Sequence, residues 1–340
     1  MKKVLVSGYL GFNNFGDEAI FYALAEHLKN SNVEISALSN NPKETSEKYD
    51  VKTYYFKNFK AIIKAIRSND ILISGGGSLL QDKTSNFSLY YYLFIVIIAK
   101  LFFKKVIIFA QGFEPLKNKL NELILKLILK TTDFITVRDE KSKKYLKKLG
   151  IDSILLTDPI YSIIDKTEIS NNKEGLIVQL RNTKHINNAF IKNLANQISK
   201  NFNEKISVLS LQDSIDLDIC KELQNELKVL GIESDLIEHK TIKETIDIIN
   251  KAEFMISTRL HGAIVSNALK TKTFTLNYDE KLKTLSDEFL LPNINLDSFS
   301  YERLNEKLDD FFNTKTEIEE YRKFDWNEID SFINSIREKK

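Results

Sequence analysis

Short runs of apolar residues alternate with longer amphipathic stretches along this chain, and this alternation restricts its fold more than any other feature. The apolar runs have the length of buried strands, and the stretches between them have helical spacing. Such an order is typical of parallel strands joined by helices. The sequence therefore predicts an α/β fold with two Rossmann-like, doubly wound domains that face each other across a cleft. The predicted strands lie at residues 4–7, 33–39, 71–74, 106–110, 134–137, 175–179, 206–211, 254–257 and 273–276.

The length of 340 residues favours two domains, because one domain typically has roughly 100 to 200 residues. A polar segment at residues 165–174 lacks apolar periodicity and follows the turn Thr157-Asp158-Pro159, which indicates a linker. We predict an N-terminal domain over residues 1–166 and a C-terminal domain over residues 167–340. The charged tail after Tyr301 has a helical pattern and is compatible with a last helix that returns to the first domain.

Composition excludes several classes of protein. The chain has 49 basic and 47 acidic residues, so its overall charge does not indicate a nucleic-acid partner. Cys220 is the single cysteine, which excludes an intramolecular disulfide and fits a reducing compartment. The first apolar run ends at Gly8, too early for a signal peptide, and the run at residues 89–99 is too short for a membrane span. We therefore expect a cytoplasmic protein.

Doubly wound sheets bind ligands at the carboxyl ends of their strands, so the loops that follow strands should carry the chemistry. The first such loop contains Gly11 and Gly16 at the spacing of a phosphate loop, but Asp17 and Glu18 stand where that motif needs Lys and Ser or Thr. Glycines would still let a ligand approach the backbone, and the amides of the helix start could hold an anion or a sugar hydroxyl. We predict binding roles for Asn14, Gly16, Asp17 and Glu18; the alternative is a tight turn with an acidic helix cap.

Three consecutive glycines, Gly75, Gly76 and Gly77, follow the predicted strand at residues 71–74. Successive glycine amides can form a concave anion site, which suits a phosphate or a carboxylate. The spacing does not match the dinucleotide-binding fingerprint. We predict that the three glycines, together with Gln81 and Asp82, contact substrate.

A third loop carries Arg259, Leu260 and His261 directly after the strand at residues 254–257. Arg259 supplies a permanent cation and His261 a group that can donate a proton near neutral pH, and both can face the same cleft. That pair suits an acid-catalysed reaction of an anion. The alternative for His261 is a structural histidine at a helix start or in the core.

Two further arginines, Arg138 and Arg181, also stand at strand ends, in a chain whose cations are mostly lysine. The planar guanidinium suits carboxylate and phosphate groups better than an ammonium does. We predict that both bind an anionic substrate. For Arg138, the alternative is a salt bridge with Asp139 or Asp158.

The ordered set of motifs resembles the polysaccharide pyruvyl transferase family, including its CsaB-type members. The resemblance runs from Val4 to about Lys283 and is carried by GF-NN-FGDEAI, GGGSLLQD, AQGFEPL, TVRD, TDP, VQLR, STRLHG and the pair Tyr278-Asp279. It implies a GT-B-like fold, with the acceptor on the N-terminal side and the donor on the C-terminal side.

The reaction that the resemblance implies moves pyruvate from phosphoenolpyruvate to a sugar as a ketal and releases phosphate. Arg259 would hold the donor, with Arg138 and Arg181 as further donor contacts, and His261 would act as general acid. The resemblance implies no metal and no cofactor beyond phosphoenolpyruvate as co-substrate. It implies a glycan acceptor, with an N-acetylhexosamine on an undecaprenyl-linked precursor as the expected case.

A local basic excess favours a membrane-bound acceptor. Residues 100–148 contain 13 Lys or Arg and five Asp or Glu, so this region could contact anionic lipid at the inner face of the membrane. The alternative is an ordinary solvated helical face. A homo-oligomer is equally compatible with the sequence.

Two other functions fit the same motifs. One is a GT-B glycosyltransferase that uses a nucleotide sugar, in which Asp279 or Glu280 would bind the ribose. The other is a non-catalytic sugar-binding assembly subunit, which would not need both Arg259 and His261.

Overall fold

Two parallel β-sheets organise the chain, as a computed structural model shows for residues 1–82, 86–202, 204–238, 240–314 and 320–336. The chain divides into a first unit, Met1–Ile163 with the segment that begins at Arg322, and a second unit, Ile164–Tyr321. The two sheets with their alternating helices confirm the predicted α/β class. The division lies after Ile163, whereas the sequence predicted a boundary after residue 166.

The first unit contains a seven-stranded sheet in the order β3-β2-β1-β4-β5-β6-β7, and all neighbouring strands are parallel. Its strands are β1 Lys2–Ser7, β2 Val33–Ser39, β3 Lys52–Tyr55, β4 Ile71–Gly77, β5 Lys105–Gln111, β6 Phe134–Val137 and β7 Ile154–Leu155. Its helices are α1 Phe15–Lys29, α2 Pro42–Tyr49, α3 Phe59–Ser68, α4 Asn86–Leu101, α5 Lys119–Leu129, α6 Glu140–Lys148 and α7 Tyr161–Ile164, which crosses the division.

The second unit contains a six-stranded parallel sheet in the order β10-β9-β8-β11-β12-β13. Its strands are β8 Leu176–Gln179, β9 Ile206–Leu209, β10 Ser234–Ile237, β11 Phe254–Ser257, β12 Lys272–Asn277 and β13 Asn293–Asn295. Its helices are α8 Asn188–Asn201, α9 Asp213–Val229, α10 Ile242–Lys251, α11 Leu260–Ala268, α12 Glu280–Glu288 and α13 Tyr301–Asn313.

The last helix, α14 Asn327–Ser335, packs on the first unit. The ammonium of Lys2 donates to the carbonyl of Ile333 at 2.6 Å. The rings of His27 and Trp326 stack with their centroids 4.0 Å apart, and Phe332 stacks on Phe134. The end of the chain therefore belongs to the same unit as its beginning.

Apolar side chains of strands and helices form a separate core in each unit. In the first, α3, α4 and α5 cover one face of the sheet through residues such as Ile62, Leu93 and Leu125. In the second, α8, α9 and α13 do the same through Phe190, Leu223 and other residues. None of the described helices is long and apolar enough to cross a bilayer.

The strand order reverses once in each sheet. In the first unit this switch lies between β1 and β4, and in the second it lies between β8 and β11. The connections that leave two adjacent strands in opposite directions open a crevice at their carboxyl ends. Two glycine segments, residues 8–16 and 75–77, lie at the ends of β1 and β4. Arg181 follows β8, and the segment from Arg259 to His261 follows β11.

Candidate functional site

The buried Gln179 organises the polar groups at the switch point of the second sheet. Its side-chain oxygen accepts hydrogen bonds from the amides of Thr258 at 3.2 Å and Arg259 at 2.9 Å. The same oxygen accepts from the hydroxyl of Ser257 at 3.1 Å. Gln179 ends β8 and these partners end β11, so one amide side chain locks the turn that leads into α11.

Arg259 forms a buried ion pair with Asp216, in the first turn of α9. Nε donates to Oδ2 at 2.6 Å and Nη2 to Oδ1 at 2.7 Å, and Nη2 also donates to Gln212 Oε1 at 3.0 Å. Arg259 is 7% exposed and Asp216 is fully buried. Burial raises the pKa of Asp216, and the hydrogen bonds and charge of Arg259 only partly oppose that rise.

This pairing changes the role that the sequence suggested for Arg259. Asp216 and Gln212 occupy its Nε and Nη2, so the guanidinium is held by the protein along one side. Only the Nη1 side could meet a ligand, and Asp216 compensates the charge. Contact between Arg259 and the donor stays a prediction, and positioning the start of α11 is the role that the structure supports.

His261 is the second residue of α11 and is half-buried, as is Leu260. The start of a helix favours negative charge because its amides and dipole point outward there. Gly262 makes this turn tight, since a Cβ at that position would lie 2.7 Å from Ser257 Oγ and 3.1 Å from Leu211 Cδ1. His261 thus lies in the first turn of α11 with its Nε2 atom buried, and its role as a proton donor stays a prediction.

Arg181 lies near this ion pair and contacts Tyr278, at the end of β12. Its Nη1 donates to the phenol oxygen at 2.9 Å, and its guanidinium lies 5.4 Å from the ring centroid. Burial and then the charge of Asp279 raise the pKa of Tyr278 to about 12, against the opposing charges of Arg181 and Arg259. Arg181 is half-buried and donates to a neutral phenol. Its charge also acts on the carboxylate of Asp216, which Arg259 already binds, so Arg181 stays a candidate for binding an anionic ligand.

In the first unit, the loop at residues 8–14 is held from within by Glu18. The carboxylate accepts the amide of Gly11 at 2.8 Å and the hydroxyl of Tyr49, and Glu18 is 1% exposed. Asn14 caps α1 by accepting the amide of Gly16 at 3.1 Å. The predicted substrate contact of Glu18 is therefore corrected to a structural role. Asn14 and Gly16 form the cap of α1, and their predicted binding roles stay predictions.

The three glycines that end β4 allow close packing. Gly75, Gly76 and Gly77 have φ values of 139°, 74° and 79°, which other residues rarely adopt. A Cβ on Gly75 would lie 2.4 Å from the carbonyl oxygen of Phe109, and one on Gly76 would lie 2.3 Å from Ile20 Cγ2. Packing alone thus requires these glycines, and an anion site formed by their amides stays a prediction.

Asp17 lies beside Gly77, since a Cβ there would be 2.5 Å from Asp17 Oδ1. The structure thus places Asp17, which is half-buried, with the glycine segment at one edge of the sheet. Gln81 is also half-buried. Both keep their predicted roles as candidate contacts.

Asp82 is buried and supports the neighbouring loop. It accepts the amides of Lys117 at 2.9 Å and Asn118 at 3.1 Å, and the side-chain amide of Asn121 at 3.0 Å. Burial raises the pKa of Asp82, but these hydrogen bonds outweigh it and hold the pKa below its usual value. The predicted substrate contact of Asp82 is therefore corrected to a structural one.

Arg138 forms the salt bridge that the sequence left open. Its Nη1 donates to Asp158 Oδ2 at 3.0 Å, and its Nη2 donates to Ser78 Oγ at 3.2 Å. Its Nε lies 4.0 Å from Asp139. The ion pair ties the ends of β4 and β6 to the Asp158 turn, so binding of a donor by Arg138 would have to share the guanidinium with two carboxylates.

The family model for polysaccharide pyruvyl transferases matches residues 14–280. This range contains Asn14 and every later residue of the two switch points. The chain belongs to the polysaccharide pyruvyl transferase family. It is therefore a transferase, and this confirms the resemblance predicted from its motifs. No curated protein gives a significant match.

Several solved structures share the fold of this pyruvyl transferase. MnaA of S. aureus, solved with UDP, has a TM-score of 0.64 at 12% identity over 92% of this chain and 88% of its own. The UDP-GlcNAc 2-epimerase of Methanocaldococcus jannaschii has a TM-score of 0.63 at 15% identity over 93% and 94%. A glycosyltransferase of Rickettsia africae has a TM-score of 0.58 at 13% identity over 92% and 88%. At these identities the likeness shows the GT-B-like fold alone.

Gln179, Gln212, Asp216 and Tyr278 were not predicted as site residues. For Gln179 and Tyr278, position was a signal of a site residue that the sequence did contain. Gln179 ends one predicted strand, and Tyr278 lies just after another. Asp216 had no such signal, since it lies 43 residues from Arg259 within an ordinary amphipathic helix.

Proposed function

We propose that this pyruvyl transferase moves pyruvate from phosphoenolpyruvate to two hydroxyls of a glycan and releases phosphate. The observation that carries the proposal is the locked turn at the switch point, where Gln179 and Asp216 hold Arg259 and so place His261 at the start of α11. The family supplies the reaction class, and the geometry supplies an acid beside an anion-favouring helix end.

Each step of the proposed reaction balances in atoms and charge. The imidazolium of His261 donates its proton to the methylene carbon of phosphoenolpyruvate, which leaves C2 electron-deficient. A sugar hydroxyl bonds to C2 and passes its proton to the neutral imidazole, which restores the imidazolium. The bond between C2 and the phosphate oxygen then breaks with its electron pair going to the phosphate, and the second hydroxyl bonds to C2 as its proton passes to the departing phosphate.

Arg181 is the arginine best suited to the donor. Its charge is shared with the neutral phenol of Tyr278, whereas that of Arg259 is compensated by Asp216. A charge-assisted hydrogen bond from a guanidinium to a carboxylate or phosphate is roughly twice as strong as a neutral one. Arg259 would then act mainly by fixing the turn, and Arg181 would bind the donor.

Release of phosphate from phosphoenolpyruvate tests the proposal, with a lipid-linked N-acetylhexosamine as acceptor. We expect His261→Ala to lose acceptor-dependent release, and Arg181→Met to raise KM for phosphoenolpyruvate. Two residues of the same unit provide matched controls: His185→Ala, whose imidazole pairs with Asp297, and Arg303→Met, which is exposed on α13. Wild-type rates in His261→Ala would contradict the assignment of the acid.

The alternative is a glycosyltransferase that uses a nucleotide sugar. Neighbours of the same fold were solved with UDP, such as MnaA of S. aureus, so the fold is compatible with this alternative. Asp279, one candidate for the ribose, caps α12 by accepting the amide of Leu282 at 2.9 Å, while Glu280 is exposed. Saturable binding of UDP-GlcNAc by calorimetry, with no phosphate release from phosphoenolpyruvate, would favour this alternative.

A further inference from the structure

Helices α4 and α5 of the first unit expose a continuous group of large apolar side chains. On α4 these are Phe87, Tyr90, Ile97 and Leu101, with the half-buried Phe94 between them. On α5 they are Leu120, Leu123 and Leu127, which are 50–59% exposed. We refer to these eight residues together with Phe103 as the α4–α5 face.

The spacing shows that this is a second apolar stripe. The α4 residues of the face recur every three or four positions and therefore line one side of the helix. The other side, with Leu89, Leu93 and Val96, is already buried in the core. A surface helix needs only one apolar stripe, and exposed apolar patches of this kind mark sites of association.

Phe103 adds an independent observation. It follows the end of α4, is 90% exposed and has a φ of 55°. The amide of Phe103 donates to the Lys100 carbonyl and that of Lys104 to the Ala99 carbonyl, both at 2.9 Å, so Phe103 fills the left-handed position that ends a helix. Glycine is favoured there and a bulky residue is strained. A strained, exposed aromatic side chain indicates a role outside the folded domain.

Basic residues border the α4–α5 face on both sides. On α3, which packs beside α4, Lys60, Lys64 and Arg67 are exposed, and the helix contains no acidic residue. On α5, Lys119 and Lys130 are exposed and Lys126 is half-buried.

The acidic residues of this region are already engaged. Asp133 pairs with Lys100 at 2.7 Å and Lys105 at 2.8 Å, and Glu122 accepts the hydroxyl of Tyr145. The carboxylate of Glu122 stays charged but is half-buried, whereas the exposed charged residues of α3 and α5 are all basic.

We propose that the α4–α5 face docks on an anionic lipid bilayer, with its apolar side chains among the acyl chains and the flanking lysines on the headgroups. An apolar face between lysines and aromatic residues is how helices lie in a membrane interface. A two-fold pair of this chain would place the lysines of one copy opposite those of the other, which the charges disfavour. The bilayer is the occupant that satisfies both the apolar and the basic residues.

The α4–α5 face is connected to the loop after β4, where the proposed acceptor would bind. Tyr90 donates to Asn121 at 2.6 Å, and Asn121 donates to Asp82, which supports the loop after β4. The face thus begins at the carboxyl edge of β4, where the glycine segment lies. If the proposed function holds, a lipid-linked acceptor would reach that edge from the bilayer. The docking itself does not depend on the reaction.

Flotation with vesicles tests the docking without any activity measurement. We expect the purified chain to bind vesicles of phosphatidylglycerol and phosphatidylcholine in equal parts, and to bind pure phosphatidylcholine far less. Replacing Lys64, Lys119 and Lys130 by Gln should weaken binding roughly 100-fold, because each basic residue near an anionic surface contributes about fivefold. The control is the same replacement at exposed lysines of the second unit, Lys192, Lys221 and Lys251, which should bind as wild type does.

Phe103→Gly tests the apolar part of the contact. Glycine suits the backbone there, so the variant should fold, and binding should fall at least about tenfold as a buried Phe is lost. Leu290→Gly is its matched control, because Leu290 is also exposed with a positive φ but lies in the second unit. Unchanged binding in Phe103→Gly and in the lysine variant would overturn the proposal. So would a dimer in light scattering that Leu127→Glu converts to a monomer, since the face would then join two copies.

Discussion

Replacing Asp216 by Asn should remove much of the stability of the second unit. The change leaves the guanidinium of Arg259, 7% exposed, without a compensating charge. Breaking a buried ion pair from one side typically costs about 3–5 kcal/mol. Since whole domains are stable by about 5–15 kcal/mol, this change would leave the unit only marginally stable.

Hydrogen exchange measures the loss of stability separately in each unit. Amides of β8 and β11 should exchange roughly 150- to 5000-fold faster in Asp216→Asn, if they exchange through global opening of the unit. Trp326, the single tryptophan, belongs to the first unit, so its fluorescence during urea unfolding serves as an internal control. We expect its transition to stay near that of the wild type.

A double variant separates stability from function. Asp216→Leu with Arg259→Met replaces the ion pair by apolar groups, which is often neutral or stabilising. We expect protection of β8 and β11 to recover while phosphate release stays low, because the turn before His261 loses its anchor on α9 and keeps only that of Gln179. Protection in Asp216→Asn within about fivefold of wild type would refute the reasoning, since the pair would then contribute less than about 1 kcal/mol.

Three further predictions follow from single sites. Gly76→Ala should cost more than about 2 kcal/mol, because its Cβ would meet Ile20 at 2.3 Å, whereas Gly150→Ala, with a similar φ and no neighbour within 4 Å, should cost about 1 kcal/mol in urea unfolding. The lowered pKa of Asp82 stabilises the fold above its unfolded pKa of about 3.9, and that contribution is lost as pH falls through the folded pKa. Asp82→Asn should therefore destabilise more at pH 6 than at pH 3, and equal losses would contradict the linkage. Burial raises the pKa of Cys220 to about 12, so the native thiol should resist Ellman's reagent at neutral pH, and rapid labelling would show that it is accessible.

The predicted strands show what local pattern can reveal. All nine were found, and each lies next to strands on both sides, where continuous apolar runs are needed. The strands that were missed, β3, β7, β10 and β13, are short and stand at or next to the sheet edges. One face of such a strand can be polar, so Lys52–Tyr55 and Ser234–Ile237 lack the apolar signal.

The candidate site likewise contains residues that the sequence located and residues whose role it could not show. Motif position alone located Arg181, Arg259 and His261 after strands, because parallel sheets collect their loops at one edge. It could not show that Glu18 and Asp82 point inward, since a carboxylate that caps a loop and one that binds a sugar have the same sequence signature.

The amino-acid sequence by itself determined the alternation of strands and helices, the two-domain organisation and the family, because these depend on local spacing and motifs. Only the tertiary structure decided which charges are compensated. Asp216 lies 43 residues from Arg259, and Gln179 lies 80 residues from it, so their hydrogen bonds exist only once the sheet brings β8, β11 and α9 together. Electrostatic pairing depends on distance in space, and no pattern along the chain encodes that distance.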